Sequence, residues 1–306
     1  IRRDMKRLFI ALLICASATS LLAWGEAGHY LLNEAATRGL PNDMPPFFYA
    51  ASSELIHLAY DPDRWRGAGE SLDAVNPPDH FLDYEYVSGL KLSPDRFKYL
   101  ATLTSSGTLR RHGISNSTPG FLPWRIAELS ERLTALWRLW RKSDPGSVER
   151  TFIERDIIHT AGILGHFIGD ASQPLHTTYN YNGWVLPNPE GFATDCDTHA
   201  RFETDFVSHA IAVGDVVPSL GAPVARTEYF NTALDFIRRS NQFVEPLYRL
   251  DQAGAFRTLG PTSQEGKTFA SERLASGASM LRDYWWSTWL SSAKPVAKRI
   301  ATTPAE

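Results

Sequence analysis

The sequence is short of the features that mark several large classes of protein. Its 306 residues include only two cysteines, Cys15 and Cys196. Cys15 falls in an N-terminal segment that reads as a removable leader, and Ile14 before it does not suit lipid attachment. Cys196 is then left alone and no internal disulfide is expected, so stability must come from the core or from metal. Past the leader no run approaches the about 18 apolar residues of a membrane span, and the mature chain is expected to be soluble. Long apolar–polar alternation is missing, which argues against a strand-built fold. No internal repeat of fixed period is found. Basic residues are not in excess: 31 Lys and Arg face 34 Asp and Glu, a net charge of −3. Holding nucleic acid by a basic surface alone would need the opposite balance, although bound metal would change it locally. A hydrophobic content of 43% with 21% charged residues gives no sign of large-scale disorder.

The leader is the first positive signal. Arg2, Arg3, Lys6 and Arg7 precede the apolar run Leu8 to Ile14 and a stretch of small residues, the pattern of a secretory signal peptide. Met5 is the expected start. Cleavage after Ala23, with Leu21 larger than usual two places earlier, gives a mature chain beginning at Trp24 and a secreted or periplasmic protein. Residues 1–23 carry four basic and one acidic side chain, so their loss moves the net charge from −3 to −6.

Helical periodicity dominates the rest, and an all-α fold is expected. One apolar series runs through Ile126, Leu129, Leu133, Leu136, Trp137 and Trp140; a second carries Tyr229, Phe230, Ala233, Leu234 and Ile237; a third extends from about Phe269 to Leu290. Their spacing by threes and fours is that of a buried helix face. Breakers at Asp144-Pro145-Gly146, Pro187 to Gly191 and Gly260-Pro261 read as loops within one domain of residues 24–292. Residues 293–306 read as a frayed tail. Arg132, Arg138, Arg141 and Lys142 near Trp137 and Trp140 are taken as the solvated face of an amphipathic helix rather than a stacking surface for bases. Trp285, Trp286 and Trp289 are taken as core.

Histidine placement carries the chemistry. The segment from His166 to His176 contains H-x3-D-x5-H, with His166 and Asp170 one helical turn apart on one face. Pro174 ends that helix and allows His176 to turn back toward the same space. Downstream, His199 and Glu203 form H-x3-E, and His80 lies upstream. Imidazole nitrogens with carboxylate oxygens are a donor set that suits zinc. His57, His112 and His209 are read as structural or exposed. His159, two turns before His166, is read as a hydrogen-bonded core group or one supporting the ligands.

Together these segments resemble the S1/P1 nucleases and the related bacterial zinc phospholipases C. Trp24-Gly25-Glu26-Ala27-Gly28-His29 matches the nuclease opening W-G-x-x-G-H, Asp63 to Arg66 resembles D-x-x-R, and His80 to Asp83 resembles H-F-x-D. The resemblance spans Trp24 to Glu203. It implies a single-domain helical fold of the phospholipase C/P1 nuclease kind with three zinc ions in a cleft. One zinc would take Asp63, His80, His166 and Asp170. A second would take the amine and carbonyl of an N-terminal Trp24, with His29 and a bridging Asp170, so that one extra residue before Trp24 would disrupt it. The third would take His176, His199 and Glu203. Incomplete ligand sets leave room for water and substrate, and zinc lowers the pKa of water it binds to roughly 7. Asp63 would also orient the attacking water and Arg66 would neutralise transition-state charge. Phe81 would stack on a base while Asp83 accepts hydrogen bonds from its edge, which suits single-stranded DNA or RNA.

The sequence departs from the nucleases in places. Ser172 stands where they often carry His, Glu203 replaces their usual Asp, and their disulfides and glycine-rich loop are missing. Ser172 and Glu203 favour a phospholipase C acting on phospholipid; the N-terminal spacing and the gap from His176 to His199 favour a nuclease. A secreted zinc-binding protein without turnover is the reading from another class.

Overall fold

The apolar periodicities fold as helices. The computed structural model describes residues 24–185 and 187–295. Among them the regular structure is helical, with two isolated bridge pairs, Leu82 with Gly120 and Tyr181 with Gly183. The all-α expectation therefore holds. The expected leader, and the part of the expected tail from 296 onward, lie outside the described residues.

Eight helices carry the architecture: α1 (Gly25–Arg38), α2 (Ser52–Leu58), α3 (Arg96–Ser105), α4 (Leu122–Lys142), α5 (Val148–Ser172), α6 (Tyr229–Asn241), α7 (Val244–Gln252) and α8 (Gln264–Ser292). In α4 a proline occupies the first turn, where its missing N–H costs nothing, and Ile126, Leu129, Leu133 and Trp137 turn inward as their spacing predicts. The Asp144-Pro145-Gly146 loop then reverses the chain, and Ser147 caps α5 by accepting from the backbone N–H of Arg150 at 3.1 Å. So short a connection lays α4 and α5 side by side as neighbours. α5 is the axis of the molecule, packed on by α1, α2, α4, α6 and α8.

Being surrounded changes what periodicity means along α5. Every residue from Thr160 to Ser172 is buried, so no solvated face remains there. Glycines make the approach of neighbouring helices possible. A Cβ on Gly162 would fall 2.4 Å from Leu58 Cβ, one on Gly165 2.4 Å from Asn33 Oδ1, and one on Gly169 2.9 Å from His29 Nδ1. His159 is a correction: it is exposed, although seven residues before a wholly buried histidine. The N-terminal half of α5 emerges from its neighbours, so one helix face is covered at one end and bare at the other.

The far end of the bundle is aromatic. Trp137 is enclosed by Phe47, Phe48, Trp140 and Trp289 at ring distances of 5.2–6.1 Å, and Trp285 adds an edge contact to Phe48. Arg141 and Arg150 cover the outer faces of Trp289 and Trp140 at 3.3 and 3.9 Å. The tryptophans are structural, as expected. Cys196 is a further correction: it is disulfide-bonded rather than a lone thiol.

Candidate metal centre

The buried end of α5 supplies His166 and Asp170, both inaccessible to solvent. Pro174 has no N–H with which to continue the helix, and the chain turns through a 3-10 segment, Pro174–Thr177, that returns His176 to the same place. Opposite it, a second 3-10 turn, Pro77–His80, presents His80. Leu82 donates its N–H to the carbonyl of His176 and so ties the two turns together. The short helical turn Asp61–Arg64 brings in Asp63, and α1 brings in His29, whose ring stacks on that of His166 at 4.0 Å. Glu203 lies in a π-helix, Ala200–Phe206, with His199 immediately before it. That wide turn was expected to be an ordinary helix; π-helical turns occur frequently at functional sites.

All eight side chains expected as ligands converge on this region. They form three groups whose donor atoms lie within 4.8 Å of one another: Asp63 with His80 and His166, His29 with His166 and Asp170, and His176 with His199 and Glu203. Asp170 sits between them. Its Oδ2 is 3.0 Å from His80 Nδ1 and 3.4 Å from His166 Nε2, while its Oδ1 is 3.6 Å from both His29 Nε2 and His176 Nδ1.

The donors fit a tetrahedral cation. Bonds of about 2.0–2.1 Å place neighbouring ligand atoms roughly 3.3 Å apart. His80 Nδ1 and His166 Nε2 are 2.9 Å apart, and their distances to Asp63 Oδ1 and Asp170 Oδ2 run from 3.0 to 4.0 Å. In the third group the corresponding distances are 2.8 and 3.8 Å. Backbone carbonyls orient the rings: Nδ1 of His166 faces Ala59 O at 2.8 Å, that of His176 faces His80 O at 2.7 Å, and that of His199 faces Tyr181 O at 3.1 Å. Each contact leaves Nε2 directed into the cluster, the usual way a protein fixes the tautomer of a ligating imidazole. Both nitrogens of His29, His176 Nε2, Asp170 Oδ1 and Glu203 Oε1 are buried without a hydrogen-bond partner. So many unmet polar atoms in one place need a ligand to explain them.

Electrostatics point the same way. Burial holds His29 down at about 3, and burial also keeps His80, His166 and His176 well below the ordinary imidazole value, with the Arg66 charge adding to the effect. These rings are neutral and offer lone pairs. Burial, and then the carboxylate of Asp63, pushes Asp170 well up; burial likewise raises Glu203. His199 is the exception: burial opposes its charge, but Glu203 outweighs burial and raises it. Buried acids that resist ionisation are relieved by a cation bound beside them.

The remaining expected residues fall around this core. Arg66 holds Asp63 Oδ1 through Nε and Nη2 at 2.9 and 2.8 Å. Trp24 is buried, its indole donating to Gly169 O at 2.7 Å and Ser172 Oγ at 3.0 Å; this places residue 24 against the turn that carries Asp170. The glycines of its motif have physical reasons. Gly25 adopts a left-handed φ of +48° with Thr204 beside it, and a Cβ on Gly28 would fall 2.9 Å from Trp24 Cβ. Ser172 also lies against α8, where a Cβ on Gly277 would meet its Oγ at 2.6 Å, so a larger side chain has no room there. Phe81, next to His80 in the chain, is half-buried, and Asp83 is buried with its carboxyl pushed well up by burial and by neighbouring Glu85.

One supporting residue went unread in the sequence. Gln173 is fully buried; its amide donates to Glu203 Oε2 at 2.9 Å and its carbonyl accepts from Leu175 N–H at 2.8 Å. Its only signal was its position between Asp170 and His176.

No protein-family model and no curated protein matches the sequence. Among solved structures the chain is similar to an alpha toxin from Clostridium absonum, at 13% identity and a TM-score of 0.44, over 92% of this chain and 68% of that one. It is also similar to the alpha-toxin of Clostridium perfringens from avian strain SWCP, at 14% identity and a TM-score of 0.40, over 88% of this chain and 64% of the other.

Proposed function

We propose that this protein is a zinc-dependent hydrolase of phosphodiester bonds. The observation that carries the reading is the convergence of three buried His/Asp/Glu groups on Asp170, with donor atoms left unmet at metal-like spacing. When bound there, zinc would activate water near neutral pH and balance the charge of a phosphodiester. The chain's own residues do the rest. Backbone carbonyls fix the imidazoles, Gln173 holds Glu203, and Arg66 holds Asp63 while placing a positive charge beside the cluster. In the Trp24-first form the terminal amine would complete the group around His29, since the Trp24 indole anchors residue 24 beside Asp170. Removal of the leader would then complete the site in a secreted chain.

For substrate, the phospholipid reading comes first. Glu203 and Ser172 both depart from the nuclease pattern. Asp83, the residue expected to read a base edge, is buried with a carboxyl that resists ionisation. Among the described residues no helix is long and apolar enough to cross a membrane, so lipid would be met at a surface. Single-stranded DNA or RNA is the second reading, favoured by the spacing of the N-terminal motif and by Phe81, next to His80 in the chain.

The test is a parallel assay of zinc-loaded protein beginning at Trp24 on phosphatidylcholine vesicles and on single-stranded DNA and RNA, each with and without chelator. Chelator-sensitive release of the phosphorylated headgroup is expected. Nucleic-acid cleavage alone would move the substrate to the second reading. Zinc bound with no turnover of either would sink the hydrolase reading.

A further inference from the structure

A cavity with a partly cationic wall lies apart from the metal centre. Between α6, α8 and the segment 217–226 there is an open cavity of about 420 Å³, lined by Arg226, Arg239 and Arg273 and by none of the metal-centre residues. That volume lies within the range of small-molecule sites, roughly 300–1,000 Å³. The three arginines share that wall with the carboxylates of Glu272 and Asp283, so cationic groups outnumber acidic ones by one.

The three arginines are held in different ways. Arg226 is fixed by Asp283, Nη2 to Oδ2 at 2.8 Å. Asp283 is also bound by Arg282 at 2.7 Å, so this one carboxylate is matched by two cations. Arg273 lies flat on the ring of Phe243 at 3.5 Å. Its Nε is buried without a hydrogen-bond partner, and its ion pair is with Glu272, 3.6 Å away and half exposed. Arg239 reaches in from α6 and is exposed. A guanidinium held by its face, with its Nη2 paired only at 3.6 Å to a half-exposed carboxylate, can receive an oxyanion. Ser276 and Ser279 follow Arg273 at intervals of three along α8, on the same side of the helix, and add hydroxyl donors to the cavity wall. Phe236 and Met280 form an apolar part of that wall.

We propose that this cavity binds an organic phosphomonoester, with the phosphate held by Arg226, Arg239 and Arg273 and the organic group against Phe236 and Met280. Three cations approaching from three elements suit a tetrahedral dianion better than a carboxylate, which one guanidinium satisfies. The inference does not rest on the metal centre and stands apart from the proposed hydrolase activity.

Calorimetric titration of the zinc-loaded chain with phenyl phosphate tests it, with benzoate as the carboxylate control. The expected result is saturable binding that persists with chelator, is tighter for phenyl phosphate than for benzoate, and weakens by about tenfold or more in Arg273→Met. Methionine keeps an apolar contact with Phe243. Arg239→Gln, at an exposed position that does not threaten folding, should weaken binding in the same direction if Arg273→Met does not fold. Absence of binding at millimolar phenyl phosphate, loss of all binding with chelator, equal affinity for benzoate, or wild-type affinity in Arg239→Gln would each overturn the proposal.

Discussion

The two ends of the bundle bury their polar atoms on different terms. At the aromatic end, tryptophans pack by tilted and edge contacts, and their N–H groups are largely satisfied: Trp140 by Glu154, Trp285 by Ala161 O, Trp289 by Asp43 O. Trp137 Nε1 is the one indole nitrogen there left unmet. At the other end, unmet nitrogens and oxygens from His29, His80, Asp170, His176, His199 and Glu203 crowd around the last turn of α5. Leaving a buried polar group unpaired costs about 1–3 kcal/mol each, so a site of this kind survives only on a scaffold stabilised elsewhere. The difference assigns stability to the aromatic end and chemistry to the polar one, and each substitution below is chosen to break or sharpen that division.

Asp170→Asn should have the largest effect. It keeps the shape but removes the charge that faces His29, His80, His166 and His176. Zinc content should fall and phosphodiester turnover should drop by at least about a hundredfold, while the chelated protein keeps or gains thermal stability because a buried carboxylate has gone. Metal analysis and melting curves measured together check both halves. Wild-type zinc content in the variant would remove Asp170 from the centre. Trp137→Ala is the mirror experiment. Loss of a wholly buried indole should cost about 3–5 kcal/mol in urea denaturation and leave the zinc stoichiometry of the folded protein unchanged. If zinc is lost in proportion to stability, the two ends are not separate.

The division also governs how much was legible in the sequence. The aromatic end follows periodicity: Ile126 through Trp137 turn inward because a helix repeats every 3.6 residues. At the polar end the convergence of His166, Asp170 and His176 was legible because H-x3-D-x5-H puts unlike donors on one face, but their surroundings were not. Nothing in the spacing of Gly162, Gly165 and Gly169 says which helix comes close, because that depends on the distant segments that carry Leu58, Asn33 and His29. Gln173 gave no pattern of its own. His159 was misread because periodicity gives direction around a helix axis and says nothing about where along it the neighbours stop. The π-helix at Glu203 was read as an ordinary turn because four-residue spacing suits both.

Acid should separate the ends through His29. In the chelated protein its pKa is held at about 3 by burial, against an unfolded value near 6.5. Below that value the unfolded chain takes up a proton that the folded chain refuses. Stability is therefore lost as the pH falls from about 6.5 toward 3, by about 1.4 kcal/mol per pH unit from this one group. His80, His166 and His176 act in the same direction; Asp170 and Glu203, whose values are raised, act in the opposite one. Subtracting a His29→Gln variant isolates the histidine. The stability difference between wild type and variant should shift against the wild type by about that slope between pH 6 and 4.5, and parallel curves would show that the ring is not held neutral.

Ser147→Ala should have the smallest effect and gives the strictest test of separation. Ser147 caps α5 at the aromatic end, accepting from Arg150 N–H, and Arg150 in turn covers Trp140. Removing the hydroxyl should cost about 1 kcal/mol, and Ser147→Asp should restore most of it, since a carboxylate can cap the same turn and also favours the positive end of the helix. At 1.5 Å per residue, the 25 residues of α5 put roughly 37 Å between this cap and the last turn that holds Asp170. Zinc affinity should therefore be the same in all three proteins. A change in affinity that follows the cap would mean that α5 transmits strain along its whole length, and the aromatic end would then be part of the site rather than only its support.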